Sequence, residues 1–360
     1  MASLLTVGNF RARPQLPVYE IDPLSDDGWD ALVRQHPRSS VFHTRGWLQA
    51  LARTYGYRPI VFTTSAPGEP LQNAAVFCEV RSWITGRRLV SLPFSDHCDP
   101  LVDSAAAEAD ILGHVLERVI RDGYRYAEVR GRAMGMEEWP AITQWRPSEQ
   151  FWLHTLPLDA AMESLYRKMH KDCVQRKIRR AEKERLGFEK GRSESLLRSF
   201  YQLVLRTRRR HGLPPQPLEW FRNLAESMGD RLTIYLALKG DIPVAALLCL
   251  SNKDTVVYKY GSSDERFSML GGTPFLFWKI IQEAKDQGMR RLDLGRSDLD
   301  NDGLVKFKDR LGATKEILTY GRYSAAGTAS NLTQTAKCVL ALVPDALVAA
   351  SGRLFYRHMG

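Results

Sequence analysis

The chain is poor in cysteine. Its five cysteines (Cys78, Cys98, Cys173, Cys249 and Cys338) are scattered, odd in number and never spaced as Cys-x-x-Cys. That pattern excludes a disulfide scaffold and a cysteine-based zinc site, and it suggests a reducing compartment. Long apolar runs are also missing. Nothing reaches the ~18 residues of a spanning helix, and the best candidate, Cys338–Ala350, carries Pro344 and Asp345 at its centre. Met1–Pro17 holds too short an apolar stretch for a signal peptide, so the expected location is cytoplasmic. The third shortage is of acidic residues: 41 Asp and Glu face 51 Lys and Arg, a net charge of +10. A basic chain favours anionic partners such as nucleic acid, nucleotide phosphates or an anionic lipid surface.

What is present is a globular composition, 44% hydrophobic and 26% charged over 360 residues, which sets two domains as the first expectation. The positive charge is concentrated. Residues Tyr166–His211 contain 16 basic and 5 acidic side chains, and the remainder of the chain is close to neutral. This segment reads as two helices forming one basic surface. The first is expected over 162–187, with Leu165, Met169, Val174, Ile178 and Ala181 as a narrow apolar stripe and Gly187 as its C-cap. On it, Arg176 and Arg180 stack one turn apart, as do Arg179 and Lys183. The second is expected from Glu194 to about Arg210, with Leu196, Leu197, Phe200, Leu203 and Val204 inward and Thr207, Arg210 and His211 in the basic cluster. Basic residues in a last turn complement the helix dipole, so the cluster reads either as a solvated face or as a binding surface.

The two halves echo each other. YRPIVFTT, LQNAAVFCEV and RRLVSLP in the first half read as strands, as do RLTIYLALK, PVAALLCLS and DTVVYKYG in the second. Each trio is followed by a helix (Ala105–Arg121; Thr273–Gln287) and one more strand (YRYAEVRG; RRLDLG). Similar turns, Ala66–Pro70 and Lys239–Pro243, join the first two strands of each trio. A boundary is expected near 140–152, where Pro140 and Pro147 break structure. The expected organisation is α/β (α+β): one domain over 15–148, a second over 149–325 with a basic helical segment at 160–211, and a helical tail over 326–360.

This order of elements resembles the FemAB-like family of tandem GNAT-fold acyltransferases over about Phe42–Tyr323. The resemblance is carried by Phe42–Pro59 (FHTRGWLQALARTYGYRP), Leu92–Leu101 (LPFSDHCDPL), Gln175–Glu184 (QRKIRRAEKE) and Leu294–Ala313 (LGRSDLDNDGLVKFKDRLGA). The last is the most specific. The resemblance implies two GNAT-like (acyl-CoA N-acyltransferase) domains, each a mixed sheet flanked by helices. It implies transfer of an acyl or aminoacyl group to an amine, often of a cell-envelope or polysaccharide precursor. The donor would be acyl-CoA, another acyl thioester or aminoacyl-tRNA, and no cofactor or metal is implied. Ordinary GNAT enzymes hold the acyl-CoA pyrophosphate on an Arg-x-x-Gly-x-Gly/Ala loop. Here the place reads ERFSMLGGTPF, where Gly271 and Gly272 form either such a nest or a plain turn into a helix. The first half has no glycines at that point, which leaves the second as the donor-binding half. The long helical arm of the bridge-forming branch is not accommodated, which weakens the case for tRNA.

Amide formation needs a neutral amine, an activated carbonyl, a site for the oxyanion and a proton acceptor. Lys308 matches the family's Phe-Lys motif and would stabilise the oxyanion or hold a donor phosphate; otherwise it is a surface lysine beside Asp309. Asp293, inside LDL, is either the proton acceptor or a buried paired carboxylate. Arg296 and Ser297 follow the strand end, where loops of α/β folds bind ligands. Tyr258 and Tyr260 are expected on one face of VVYKYG, lining an acyl channel or packing the sheet. Asp96 and His97 belong to a strand-to-loop junction read as substrate-binding; adjacent His97 and Cys98 do not make a nucleophilic dyad. Arg176, Arg179, Arg180 and Arg210 are candidates for an anionic substrate. His43, Trp47 and Tyr57 are expected to pack the N-terminal lobe. Leu340, Leu342, Val343, Leu347 and Val348 with Arg353 and Arg357 would either lie on the inner membrane surface or dock across both lobes. The competing hypothesis is a non-catalytic binder of nucleic acid or membrane using Tyr166–His211.

Overall fold

The computed structural model describes residues 16–84, 86–131, 144–324 and 356–358. Among the described residues twelve strands form one mixed sheet: β1 (Tyr19–Ile21), β2 (Arg58–Thr63), β3 (Ala75–Ser82), β4 (Gly86–Ser91), β5 (Tyr126–Val129), β6 (Arg146–Pro157), β7 (Gly187–Gly191), β8 (Leu232–Lys239), β9 (Ile242–Asn252), β10 (Thr255–Ser263), β11 (Arg291–Asp298) and β12 (Thr314–Ser324). Their order across the sheet is β1-β2-β3-β4-β5-β12-β6-β11-β10-β9-β8-β7. The halves are two turns of one pattern. β1 to β4 are antiparallel and β4 pairs parallel with β5, just as β7 to β10 are antiparallel and β10 pairs parallel with β11. Two helices follow the first strand of each half: Asp27–Gln35 and Arg45–Tyr55, then Glu194–Arg210 and Leu218–Met228. One more helix precedes each parallel strand, Ala105–Arg121 and Gly272–Asp286. The starts are locally encoded: Asp26, Ser104 and Ser193 cap their helices by accepting a main-chain N–H.

The halves exchange strands at the seam. β12, at the end of the second half, lies between β5 and β6 and pairs with both. β6 lies against β11 and so closes the second half. The expected break near Pro147 is therefore a strand. Pro147 is tolerated because β6 pairs only with β12 there, its pairing with β11 beginning at Phe151.

The cores are also shared. One apolar cluster joins Trp29, Phe42 and Trp47 of the first half to Phe200, Trp220 and Ile234 of the second. Trp47 and Trp220 meet edge to face at 5.4 Å, both fully buried. His43 and Tyr57 are buried in the N-terminal lobe as expected. A second cluster, around Ile178, Tyr235, Phe277 and Ile281, covers the other face of the second half. Alternation along β8 assigns the faces: Ile234 and Leu236 belong to the first cluster, Tyr235 and Ala237 to the second.

This arrangement corrects the reading of the basic segment. Its first part is not one helix over 162–187. It is a short helix Met162–Lys168, a π-turn at Lys171–Gln175 and a helix Arg176–Lys183, and Gly187 opens β7 instead of capping a helix. Helix Glu194–Arg210 forms as expected, with its apolar residues buried. However, Ile178 packs in the second cluster and Phe200 in the first. The two basic helices thus lie on opposite faces of the sheet and do not make one surface.

Of the tail, only Tyr356–His358 are described. Tyr356 is buried against Phe94, and its hydroxyl donates to the Pro214 carbonyl, so these residues touch both lobes. The other tail residues, Leu340 to Arg353, lie outside the described residues.

Candidate active site

The parallel pairs differ in how they end. In the first half, β4 and β5 run together to Ser91 and Val129, and the chain then returns so that Cys98 bridges Arg130. The gap there is closed. In the second half, β10 and β11 pair only through Val257 and Asp293 and then part. Each strand bulges at the parting, β10 at Lys259 and β11 between Asp293 and Arg296.

The junction Leu92–Cys98 of the first lobe reaches into this parting. Asp96 accepts from Lys259 Nζ at 2.8 Å, and His97 Nε2 lies 2.8 Å from Asp293 Oδ2. The junction is held from behind: Arg130 Nη1 donates to the carbonyls of Leu92 and Ser95, while the buried Glu128 pairs with both Arg130 and Arg322. Gly295 sits opposite with φ +70, and a Cβ there would lie 3.2 Å from Asp96 Oδ2, so both backbone and space call for glycine. Asp293 uses its other oxygen to accept from the Gly295 N–H at 2.7 Å. Such a carboxylate, accepting on both oxygens, accepts a hydrogen bond from His97 Nε2–H. This assigns the tautomer from the network and leaves Nδ1 as an acceptor. His97 is 3% exposed, and its Nδ1 has no partner among the described residues.

Lys308, on helix Asp302–Arg310, is 2% exposed, which overturns the surface-lysine reading. Its Nζ donates to the carbonyls of Gly295 and Arg296, both at 2.9 Å, while Asp309 pairs with Lys315. Burial pushes Lys308 down to about 8, against the raising pull of Asp96 and Asp293. Burial likewise lowers Lys259, opposed by Asp96. Two cationic side chains thus share a largely buried pocket with two carboxylates.

Two openings approach this cluster. A cleft of about 430 Å³ is lined by His97, Asp293, Ser40, Thr155 and Val257. A smaller one of about 180 Å³ reaches Lys259, Tyr260 and Gly261 from beside Thr207, Arg208 and His211. Along β10 it is followed by a pocket of about 360 Å³ lined by Arg206, Arg209, Arg210 and Arg266.

The remaining candidates fall elsewhere. Tyr258 and Tyr260 do not share a face. Lys259 is the extra residue of the bulge, so Tyr258 packs on Phe277 in one cluster and Tyr260 on Phe221 in the other. Arg296 stacks over Phe151 at 4.0 Å and donates to the Tyr320 hydroxyl. Ser297 is buried with its hydroxyl unpartnered among the described residues. Arg176, Arg179 and Arg180 are exposed on their helix, Arg176 near Asp172 and Arg180 paired with Glu184. Gly271 takes φ +78, and a Cβ there would lie 2.3 Å from the Lys177 carbonyl oxygen. The Gly271–Gly272 turn therefore packs against the helix Arg176–Lys183. Sequence reasoning missed Lys259 and Tyr320. A lysine centred in the apolar stretch VVYKYG was the available signal for the first; nothing local marks the second, whose hydroxyl donates to the Asp96 carbonyl at 2.6 Å.

An antiparallel strand trio and a fourth strand parallel to a fifth occur once in each half, with the parallel pair parting in the second, and this is the element order of a pair of GNAT folds. Residues 167–308 match the model of the acetyltransferase (GNAT) domain. Three of the solved structures that share the fold illustrate the likeness. FemX is 15% identical over 82% of this chain and 95% of its own, with a TM-score of 0.65. A tandem GNAT protein from the clavulanic acid biosynthesis pathway is 11% identical over 87% and 100%, at 0.55. L-PGS from Bacillus licheniformis is 14% identical over 92% and 96%, at 0.53. No curated protein matches the chain by sequence. Residues 167–308 thus carry a GNAT domain, and the chain as a whole shares the tandem GNAT fold of these structures. Among the described residues there is no cluster suited to a metal ion, and no helix is long and apolar enough to cross a membrane.

Proposed function

We propose that the chain moves an acyl or aminoacyl group from an activated donor onto the amine of an anionic acceptor of the cell-envelope or polysaccharide-precursor class. The reaction is placed where β10 and β11 part. The observation that carries this reading is the buried His97–Asp293 pair, joined across the two lobes at that parting. The amine nitrogen attacks the donor carbonyl, forming a C–N bond as the bond to the donor sulfur or ribose oxygen breaks. His97 Nδ1 takes the amine proton, and Asp293 holds the imidazole and stabilises the imidazolium. Lys308 presents its remaining N–H to the developing oxyanion, and the His97 imidazolium gives the proton it took to the leaving atom. Lys259, fixed by Asp96, adds positive charge from the other side of the parting.

The first lobe, with its own gap closed, serves to deliver Asp96 and His97. Arg210, with Arg206, Arg209 and Arg266, is assigned to the acceptor's anionic group. Asp264 already neutralises part of this cluster by pairing with Arg206 and Arg266. The donor is left as an acyl thioester or aminoacyl-tRNA. Incubation with acyl-CoA or aminoacyl-tRNA and envelope amines, following donor consumption, tests the reading. Turnover abolished by His97→Ala supports it. No turnover with either donor across such acceptors, or full activity in His97→Ala, overturns it.

A further inference from the structure

Three of the exposed large apolar side chains gather at one end of the N-terminal lobe. Trp83 (82% exposed) and Ile84 (52%) form the tip between β3 and β4, and Ile120 (57%) lies in the last turn of helix Ala105–Arg121. The two elements are fastened together, since Arg87 Nη1 donates to the Asp122 carbonyl at 2.8 Å. Neither tip residue belongs to a core cluster. The surroundings are basic. Arg81 and Arg87 flank the tip, Arg125 packs beside Gly86, and Arg121 neighbours Ile120. Their carboxylate partners are Glu79, whose side chain is 2% exposed, and Asp122. The chain also converges here. β12 ends with Ser324 donating to the Arg125 carbonyl, and His358 meets Ser82 at 2.9 Å while Arg88 donates to its carbonyl.

We propose that this end of the N-terminal lobe docks on an anionic lipid bilayer. Trp83 and Ile84 enter the headgroup region while the arginines meet lipid phosphates. An indole at a projecting tip, beside an aliphatic side chain and ringed by guanidinium groups, suits an interface that is apolar on one side and anionic on the other. A protein partner needs roughly 800 Å² on each side, more than a hairpin tip and one isoleucine offer. The inference does not depend on the catalytic reading.

Flotation with vesicles of phosphatidylglycerol and phosphatidylcholine, against vesicles of phosphatidylcholine alone, tests it. The expected result is binding to the anionic vesicles, weakened by salt, with the double variant Trp83→Ser, Ile84→Ser losing about tenfold or more in affinity. An unchanged melting temperature shows that the variant is folded. Absent binding to anionic vesicles overturns the proposal. So does binding that falls with salt but is untouched by the double variant, or sedimentation showing that wild-type chains self-associate through the tip and the variant does not.

Discussion

His97 and Asp293 lie 196 positions apart in the chain and 2.8 Å apart in the fold. One comes from a closed lobe, the other from the strand where the second lobe opens. His97→Ala should lower kcat by about 10²–10⁴, the usual worth of a positioned proton acceptor. Asp293→Asn, which leaves the ring without its anionic partner, should lower kcat with little change in KM. Steady-state kinetics with saturating donor checks both.

Lys308 gives opposite signs for activity and stability. Burial holds it at about 8 against an ordinary 10.5. Between those values the unfolded chain carries a proton that the folded chain does not. The wild type should therefore gain stability relative to Lys308→Met as pH rises from about 8 towards 10.5, the penalty being fully present below about 8. Activity should fall over the first part of the same range as the ammonium is lost. Urea unfolding and a pH–kcat profile read the two effects separately.

Gly295→Ala should impair activity out of proportion to stability. The substitution strains a left-handed backbone by about 1 kcal/mol and presses a methyl group towards Asp96. Asp96 would shift away from Lys259. A large loss of kcat with a melting temperature lowered by only a few degrees is the expected outcome.

Trp220→Ala should destabilise the whole molecule by about 3–5 kcal/mol. Trp220 is fully buried and packs on Trp47, Tyr55 and Phe94 of the other lobe. Denaturant unfolding should remain one cooperative transition, shifted as a unit. Loss of the second lobe alone would contradict the shared core.

Much of this fold was legible in the chain. β2, β3, β8 and β9 announce themselves by β-branched and aromatic runs, and their repetition exposes the duplication. The stretch Leu294–Ala313 marked Arg296 and Lys308 together, with Asp293 just before it, because a strand and the following helix hold them together. What local pattern cannot carry is the effect of one inserted residue or of a distant strand. Lys259 turns Tyr260 to the other face, since an extra residue inverts every later side chain. Intervening β7 sends Phe200 and Ile178 to opposite sides of the sheet. Asp96 and His97 looked like an isolated loop because their partners, Lys259 and Asp293, belong to the other half.

The placement of β12 between β5 and β6 governs how the molecule can be made. Until residue 324 has emerged from the ribosome, β5 exposes a bare hydrogen-bonding edge, although every other strand of its half has long been synthesised. The nascent N-terminal half must wait for the end of the C-terminal half, so the duplicated lobes mature together and not in turn. A fragment ending before β6 is expected to aggregate on expression. The two matching lobes are thus tied into one folding unit by a single strand.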